Sequence, residues 1–256
     1  MPRTIAEILK AHGYATGAFV ANRVLSARLG YNQGFDTFDV FPSDLSSNEP
    51  AVLSNLIVKG QAETLQQASL AWLDRLAAAR QAGQPVFLYV HYTETHAPYA
   101  PPQQISDQML RRHANAARLH PIQHDLLASI LRPVSHDEWQ HPDADVLTVI
   151  EDLYDAEVLT LDARLREFFA ALDRRDFLTH SVVVVLADHG EEFLDHGAMN
   201  HGSTLYNELI HVPLLVVAPE QTRRVDIADV ASVIDVAPTL LTLAAITRRP
   251  ASRVTR

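Results

Sequence analysis

The 256-residue sequence predicts an α/β protein with three layers, α/β/α, built around a mostly parallel central sheet. Three observations carry that expectation. Short apolar runs rich in β-branched residues alternate with longer stretches of helical periodicity, which places helices on both faces of a sheet. The run Val182-Val183-Val184-Val185-Leu186 is continuously apolar, the pattern of a strand covered on both faces. Pro213-Leu214-Leu215-Val216-Val217 repeats that pattern.

In order along the chain, Thr4-Ile5-Ala6-Glu7 reads as a capping box, with Ile5, Ile8 and Leu9 on one face and Gly13 as the C-terminal stop. The apolar run Ala18 to Ala21 follows as a buried strand. The first residues thus lie already inside an element, as in a chain cut from a longer one. Residues 60–82 form a second amphipathic helix, with Leu65, Trp72, Leu73 and Leu76 on one side. Pro85 then opens the β-rich run Val86 to His91. A long helix from Asp145 to about Asp173 carries a stripe of Ile150, Leu153, Leu161, Leu165, Phe168 and Leu172. Beyond the valine strand, Leu205 to Ile210 makes a short helix. Val236 to Ala245 makes the last one, with Asp235 as its cap and Pro238 tolerated in the first turn. Residues 103–145 break the alternation. They hold His113, His120, His124, His136 and His141, several prolines and weak periodicity, and are expected to form a surface insertion or cap with solvated histidines.

Composition narrows the function classes. With 47% hydrophobic and 20% charged residues, the chain can bury a core. A net charge of −10 with no local basic run excludes a nucleic-acid partner, which needs a basic surface. The absence of cysteine removes disulfides, thiolate metal sites and cysteine nucleophiles, and leaves the compartment open. No apolar run is long enough to span a bilayer, and no apolar h-region follows Met1-Pro2-Arg3-Thr4. There is no Gly-x-Ser-x-Gly elbow, Walker loop or dinucleotide glycine turn, so serine-hydrolase, P-loop and Rossmann chemistries fall away.

Ligands of open α/β sheets bind beyond the carboxyl ends of the strands, and two such ends are crowded with polar groups. The first is Asp188-His189-Gly190-Glu191-Glu192, followed by His196-Gly197 and Asn200-His201-Gly202. A carboxylate beside an imidazole suits a divalent cation, and three more carboxylates lie within a few residues. The plainer alternative has Asp188 capping the turn and His189 packing on it. His196 fits a second ligand or a surface residue equally. The second end is His91 to Pro102, in which Pro98, Pro101 and Pro102 hold an extended backbone around His96. A histidine there can contact an anionic ester oxygen or protonate a leaving group, or can be a hydrogen-bonded member of a proline-braced loop.

These stretches resemble the sulfatase family of the alkaline-phosphatase superfamily. Thr4 to Phe38 is similar to its helix-strand block ending in Gly-Phe-Asp, and Phe87 to Pro102 to its strand and His-x-Pro-Tyr loop. Tyr154 to Leu172 looks like the long helix before the metal strand. Val182 to Pro219 resembles its Asp-His-Gly-Glu, His-Gly, Leu-Tyr-x-Glu and Val-Pro series, and Ile234 to Leu243 its Asp-x-x-Pro-Thr-Leu helix. The resemblance implies an alkaline-phosphatase-like catalytic domain over residues 1–248, with 103–145 inserted and 249–256 as a tail. It implies that Asp188 and His189 are metal ligands, with Ca2+ the usual ion. It makes His96 and His201 the groups that meet the sulfate or protonate the leaving oxygen, and a small-molecule or saccharide sulfate ester the substrate. Sulfatases attack with a formylglycine made in a Cys/Ser-x-Pro/Ala-x-Arg motif, which is absent from these residues. The resemblance therefore implies an N-terminally truncated chain, inactive alone, lacking the nucleophile and the paired aspartates of the metal shell. His211 stands where the family often has Arg before Val-Pro. Within the same superfamily, a phosphodiesterase, phosphatase or phosphoglycerol-type transferase using Zn2+ or Mn2+ is the alternative. A degenerate, non-catalytic homologue is the other. Periplasmic or secreted placement of the parent protein stays open.

Overall fold

A computed structural model describes residues 3–41, 61–79, 83–129, 142–202, 204–219 and 221–246. The capping box closes α1 (Ile5–Ala11): the Glu7 amide donates to the Thr4 hydroxyl at 3.1 Å, and the Thr4 amide to the Glu7 carboxylate at 2.7 Å. It leads into β1 (Ala15–Val20), whose six residues are all buried. β2 (Thr37–Val40) and β3 (Val86–His91) pair with β1 in parallel, one on each side. Between β1 and β2, Gly34 sits at φ +87° against the backbone of α1, where a Cβ would come within 2.2 Å of the Glu7 nitrogen. Asp36 then fixes the register. Its carboxylate accepts from the Thr16 amide at 3.0 Å and pairs with Lys10 at 2.6 Å.

One face of β1 is covered by α2 (Ala62–Ala79). Trp72 meets Phe19 edge-on, with ring centroids 6.0 Å apart, over Gly17, whose missing side chain makes room for the indole. Leu65, Leu73, Phe168 and Leu172 complete this core. A second core joins Tyr99, Leu119, Val149, Ile150, Leu153 and Met199. The helix shared by both is α5 (Ala144–Asp173), 30 residues long, with Asp143 accepting from the Asp145 and Val146 amides at its start. Among the described residues, no helix is long and apolar enough to cross a membrane.

Residues 103–129 of the expected insertion fold as α3 (Gln103–Leu110) and α4 (Ala116–Ser129), and both pack on α5. That packing corrects one expectation: His113 is not a freely solvated side chain but is half-buried and reaches Asp152 of α5 at 2.8 Å. His136, His141 and the 249–256 tail lie outside the described residues.

The parallel expectation holds for β2-β1-β3. β4 (Val183–Leu186) instead pairs antiparallel with β7 (Leu214–Val217), Val183 opposite Val217 and Leu186 opposite Leu214. Between them come the hairpin β5 (Glu192–Phe193) and β6 (Met199–Asn200), and the short helix α6 (Asn207–Ile210). The valine run was expected to be covered on both faces. It is only partly covered, with Leu186 exposed, and β4 has one hydrogen-bonded neighbour among the described residues, β7, whose Leu215 and Val217 are exposed as well; α7 (Val236–Leu243) faces the pair across a pocket lined by Val184, Val216, Val236 and Leu240. Asp235 stands at the start of α7 without a capping hydrogen bond. The Ser232 hydroxyl serves the preceding turn instead.

Candidate active site

Two loops build the site. The first leaves β3 at His91 and is braced by carboxylates as much as by prolines. Glu94, 3% exposed, accepts from the Thr93 amide at 3.1 Å and from Ala62, the first residue of α2, at 2.5 Å. The Ala100 amide donates to Glu157 of α5 at 2.8 Å, and the buried Tyr99 hydroxyl donates to Glu191 at 2.8 Å. Held between these anchors, His96 places its Nδ1 2.6 Å from the Ala97 carbonyl oxygen.

The second loop leaves β4 as Asp188-His189-Gly190. The Gly190 amide donates to the Leu209 carbonyl at 2.8 Å, which seats the turn directly on α6. Asp188 accepts from the His189 amide at 3.1 Å, and the His189 Nδ1 lies 2.8 Å from the Gly190 carbonyl. Glu192, fully buried, accepts from the amides of His196 and Ala198 and from the Thr204 hydroxyl, so the chain from 192 to 204 folds back on itself. That fold returns His201 to the strand end, with its Nδ1 2.8 Å from a Glu191 oxygen.

The two loops therefore bring three imidazoles together. His201 stacks on His189 with centroids 4.0 Å apart and meets His96 edge-on at 4.9 Å. In each ring the Nδ1 is engaged, by a backbone carbonyl in His96 and His189 and by Glu191 in His201. Asp188 stands beside them, largely exposed, its Oδ1 3.7 Å from the His189 Nε2. His196 does not join the three rings. It stacks on Tyr206 at 3.7 Å and faces Glu208.

The electrostatics follow the partners. The hydrogen bond that His201 donates to Glu191 raises its imidazole above the usual range against the opposing effect of burial, and Asp188 adds to the rise. Burial, and then the neighbouring Glu191, push the Tyr99 phenol far up, so it stays a donor. At the end of β3, burial pulls His91 down while Asp188 pulls it up, and burial and Asp188 both raise Tyr89. The field of Asp188 thus reaches the β3 end.

Asp188 and His189 fit part of a divalent-cation shell: one hard oxygen donor, one imidazole nitrogen, and little steric cover. His91 adds a buried Nδ1 without a hydrogen-bond partner among the described residues. No three His, Cys, Asp or Glu side chains converge on one ion position among the described residues, so a complete shell needs further ligands. Three contributors had no assigned role in the sequence: Glu191, Tyr99 and His91. Glu191 was visible only as one acid among several after Asp188, because nothing in a ten-residue spacing announces a pairing with His201.

The sulfatase family model matches residues 1–246. The chain belongs to the sulfatase family. Within the family, arylsulfatase K of Mus musculus is 33% identical over 101 residues, 40% of this chain and 18% of the relative. The uncharacterized sulfatase YidJ of Escherichia coli is 27% identical over 179 residues, 67% of this chain and 34% of the relative. The chain thus spans about a fifth to a third of the length of these curated relatives. Among solved structures, a protein bound to its substrate D-glucosamine-2-N,6-O-disulfate superimposes with a TM-score of 0.64 at 15% identity, over 98% of this chain and 62% of that one. The phosphonate monoester hydrolase of Agrobacterium radiobacter gives 0.62 at 18% identity, over 94% and 58%. At these identities the likeness establishes the fold, which is that of sulfatases and alkaline-phosphatase-like proteins.

Proposed function

We propose that this chain supplies the leaving-group and anion-binding side of a sulfate-ester hydrolase site, working on a small-molecule or saccharide sulfate ester with a divalent cation, Ca2+, held in part by Asp188 and His189. The observation that carries this reading is the meeting of His96, His189 and His201 from two loops at adjoining strand ends. A cation there would offset the charge of the ester oxygens. The rings of His201 and His96 meet edge-on, with centroids 4.9 Å apart. A proton held there can hydrogen-bond an anionic oxygen or pass to the departing alkoxide oxygen. The Glu191 contact favours the cationic form of His201, which suits both roles. The backbone anchors of His96 and His189 keep their rings from rotating away as charge develops. That one structural relative takes a disulfated glucosamine as its substrate supports this substrate class.

No cysteine and no Ser-x-Pro/Ala-x-Arg occurs in the 256 residues, so a formylglycine nucleophile cannot be made from them. Binding is therefore the discriminating test. Isothermal titration of the purified chain with Ca2+, Zn2+ and Mn2+, and with sulfate and phosphate, should show sulfate binding that is lost in His96→Ala and His201→Ala. Cation binding should be lost in Asp188→Ala. Tight Zn2+ binding with phosphate preferred over sulfate would favour a phosphate-ester enzyme. Turnover of an aryl sulfate by the purified chain would refute the placement of the nucleophile outside these residues.

A further inference from the structure

The geometry points to Glu191 as a positioning residue: clamped by Tyr99, it fixes the ring plane and tautomer of His201, so that the Nε2 of that imidazole faces the ligand. This rests on the reading of His201 as a group that meets the anionic ester. The three site histidines are oriented in different ways. His96 and His189 each place Nδ1 on the carbonyl of the next residue, at 2.6 Å and 2.8 Å, so local backbone holds that side of their rings. His201 is aligned instead by a side chain ten positions earlier, the Glu191 Oε1 at 2.8 Å. Without that acceptor the ring could flip and offer Nδ1 instead.

Glu191 is suited to the task because it cannot itself move. Its side chain is 5% exposed. Its second oxygen receives the Tyr99 hydroxyl at 2.8 Å, and Tyr99 is 2% exposed and packed against Tyr154 and Phe193. The chain Tyr99 to Glu191 to His201 therefore runs from the second core to the site, with one hydrogen bond per oxygen. A carboxylate that receives the Nδ1 proton of an imidazole leaves Nε2 free for the partner beyond it, the logic of outer-shell carboxylates around functional histidines. Because the same contact joins the loop after β3 to the loop after β4, Glu191 also sets the spacing of His96 and His201.

The test reads the tautomer directly. In long-range 1H–15N spectra of the 15N-labelled chain at alkaline pH, the His201 signals are those that vanish in His201→Ala. The parent protein should show Nδ1 protonated and Nε2 bare. Glu191→Leu should lose that pattern, and Glu191→Gln, whose amide oxygen still accepts, should retain it. With inorganic sulfate as the probe, Glu191→Leu should weaken binding about tenfold or more, as His201→Ala does, and the double variant should lose no more than either single one. Nε2 protonated in the parent, or an unchanged tautomer in a folded Glu191→Leu, overturns the proposal. So does a double variant whose losses add. If Glu191→Leu does not fold, the parent tautomer and Glu191→Gln decide. If the parent binds no sulfate, the ester-hydrolase reading fails while the tautomer still decides the role of Glu191.

Discussion

Replacing Gly190 with alanine probes how the strand-end turn is seated. A Cβ at this position would lie 1.9 Å from the Glu208 carbonyl oxygen and 3.0 Å from its carbon. An ordinary carbon–oxygen contact is about 3.3 Å, so the methyl group arrives roughly 1.4 Å too close. The obstacle is backbone, and no rotamer change relieves it. The turn and α6 must separate, which costs about 1–3 kcal/mol of overpacking. The hydrogen bond from the Gly190 amide to the Leu209 carbonyl, 2.8 Å long, goes with it, adding about 1 kcal/mol. The expected loss is about 2–4 kcal/mol, or a melting temperature lower by about 5–15 °C for a domain of this size. Thermal unfolding followed by circular dichroism measures it, with sulfate affinity recorded in parallel, because Asp188 and His189 ride on the same turn. A Gly190→Ala protein that melts with the parent would show that α6 does not sit on this turn, and the account of how the site is held would fail.

Other perturbations separate the remaining supports. Tyr99→Phe keeps the ring and removes the donor to a buried carboxylate, so urea unfolding should show a loss of about 1.5–3 kcal/mol; an unchanged midpoint would mean the hydroxyl contributes nothing. Trp72→Ala empties the space between α2 and β1, where the indole is 4% exposed, and should cost about 3–5 kcal/mol; a smaller effect would require the helix to collapse onto the sheet. Burial pulls the Asp36 carboxyl upward, but the hydrogen bonds from Lys10 and Thr16 outweigh it and leave the folded group below its ordinary value. Its stabilising effect is therefore complete above the unfolded-state pKa and is lost as pH falls through the lower folded one. Asp36→Asn should flatten the pH dependence of stability in that acidic window, and an unchanged acid limb would refute the assignment.

The elements were legible wherever local chemistry dictates them. Thr4 with Glu7, the Val86 to His91 run and the long stripe from Ile150 to Leu172 each appear as read, because capping and periodicity are properties of neighbours in sequence. The partnership of β4 was not legible. A row of valines reports a taste for burial and is silent on strand direction or on how many neighbours a strand has, so only the fold shows the antiparallel pairing with β7 and the exposed Leu215 and Val217. The strand-end position of Asp188, His189, His96 and His201 was readable from the motifs. Their supports were not: nothing in the spacing of Glu94, Glu157, Glu191 and Glu192 announces that their side chains are buried, and only their partners in the fold reveal it. His113 failed for the same reason, since Asp152 lies 39 positions away.

Helix α5 contributes Phe168 and Leu172 to one core and Val149, Ile150 and Leu153 to the other. At about 1.5 Å per residue, its 30 residues form one rod that neither core can release separately. Denaturant should therefore melt the Trp72 region and the Tyr99 region together, and a protease should find no stable half to leave behind.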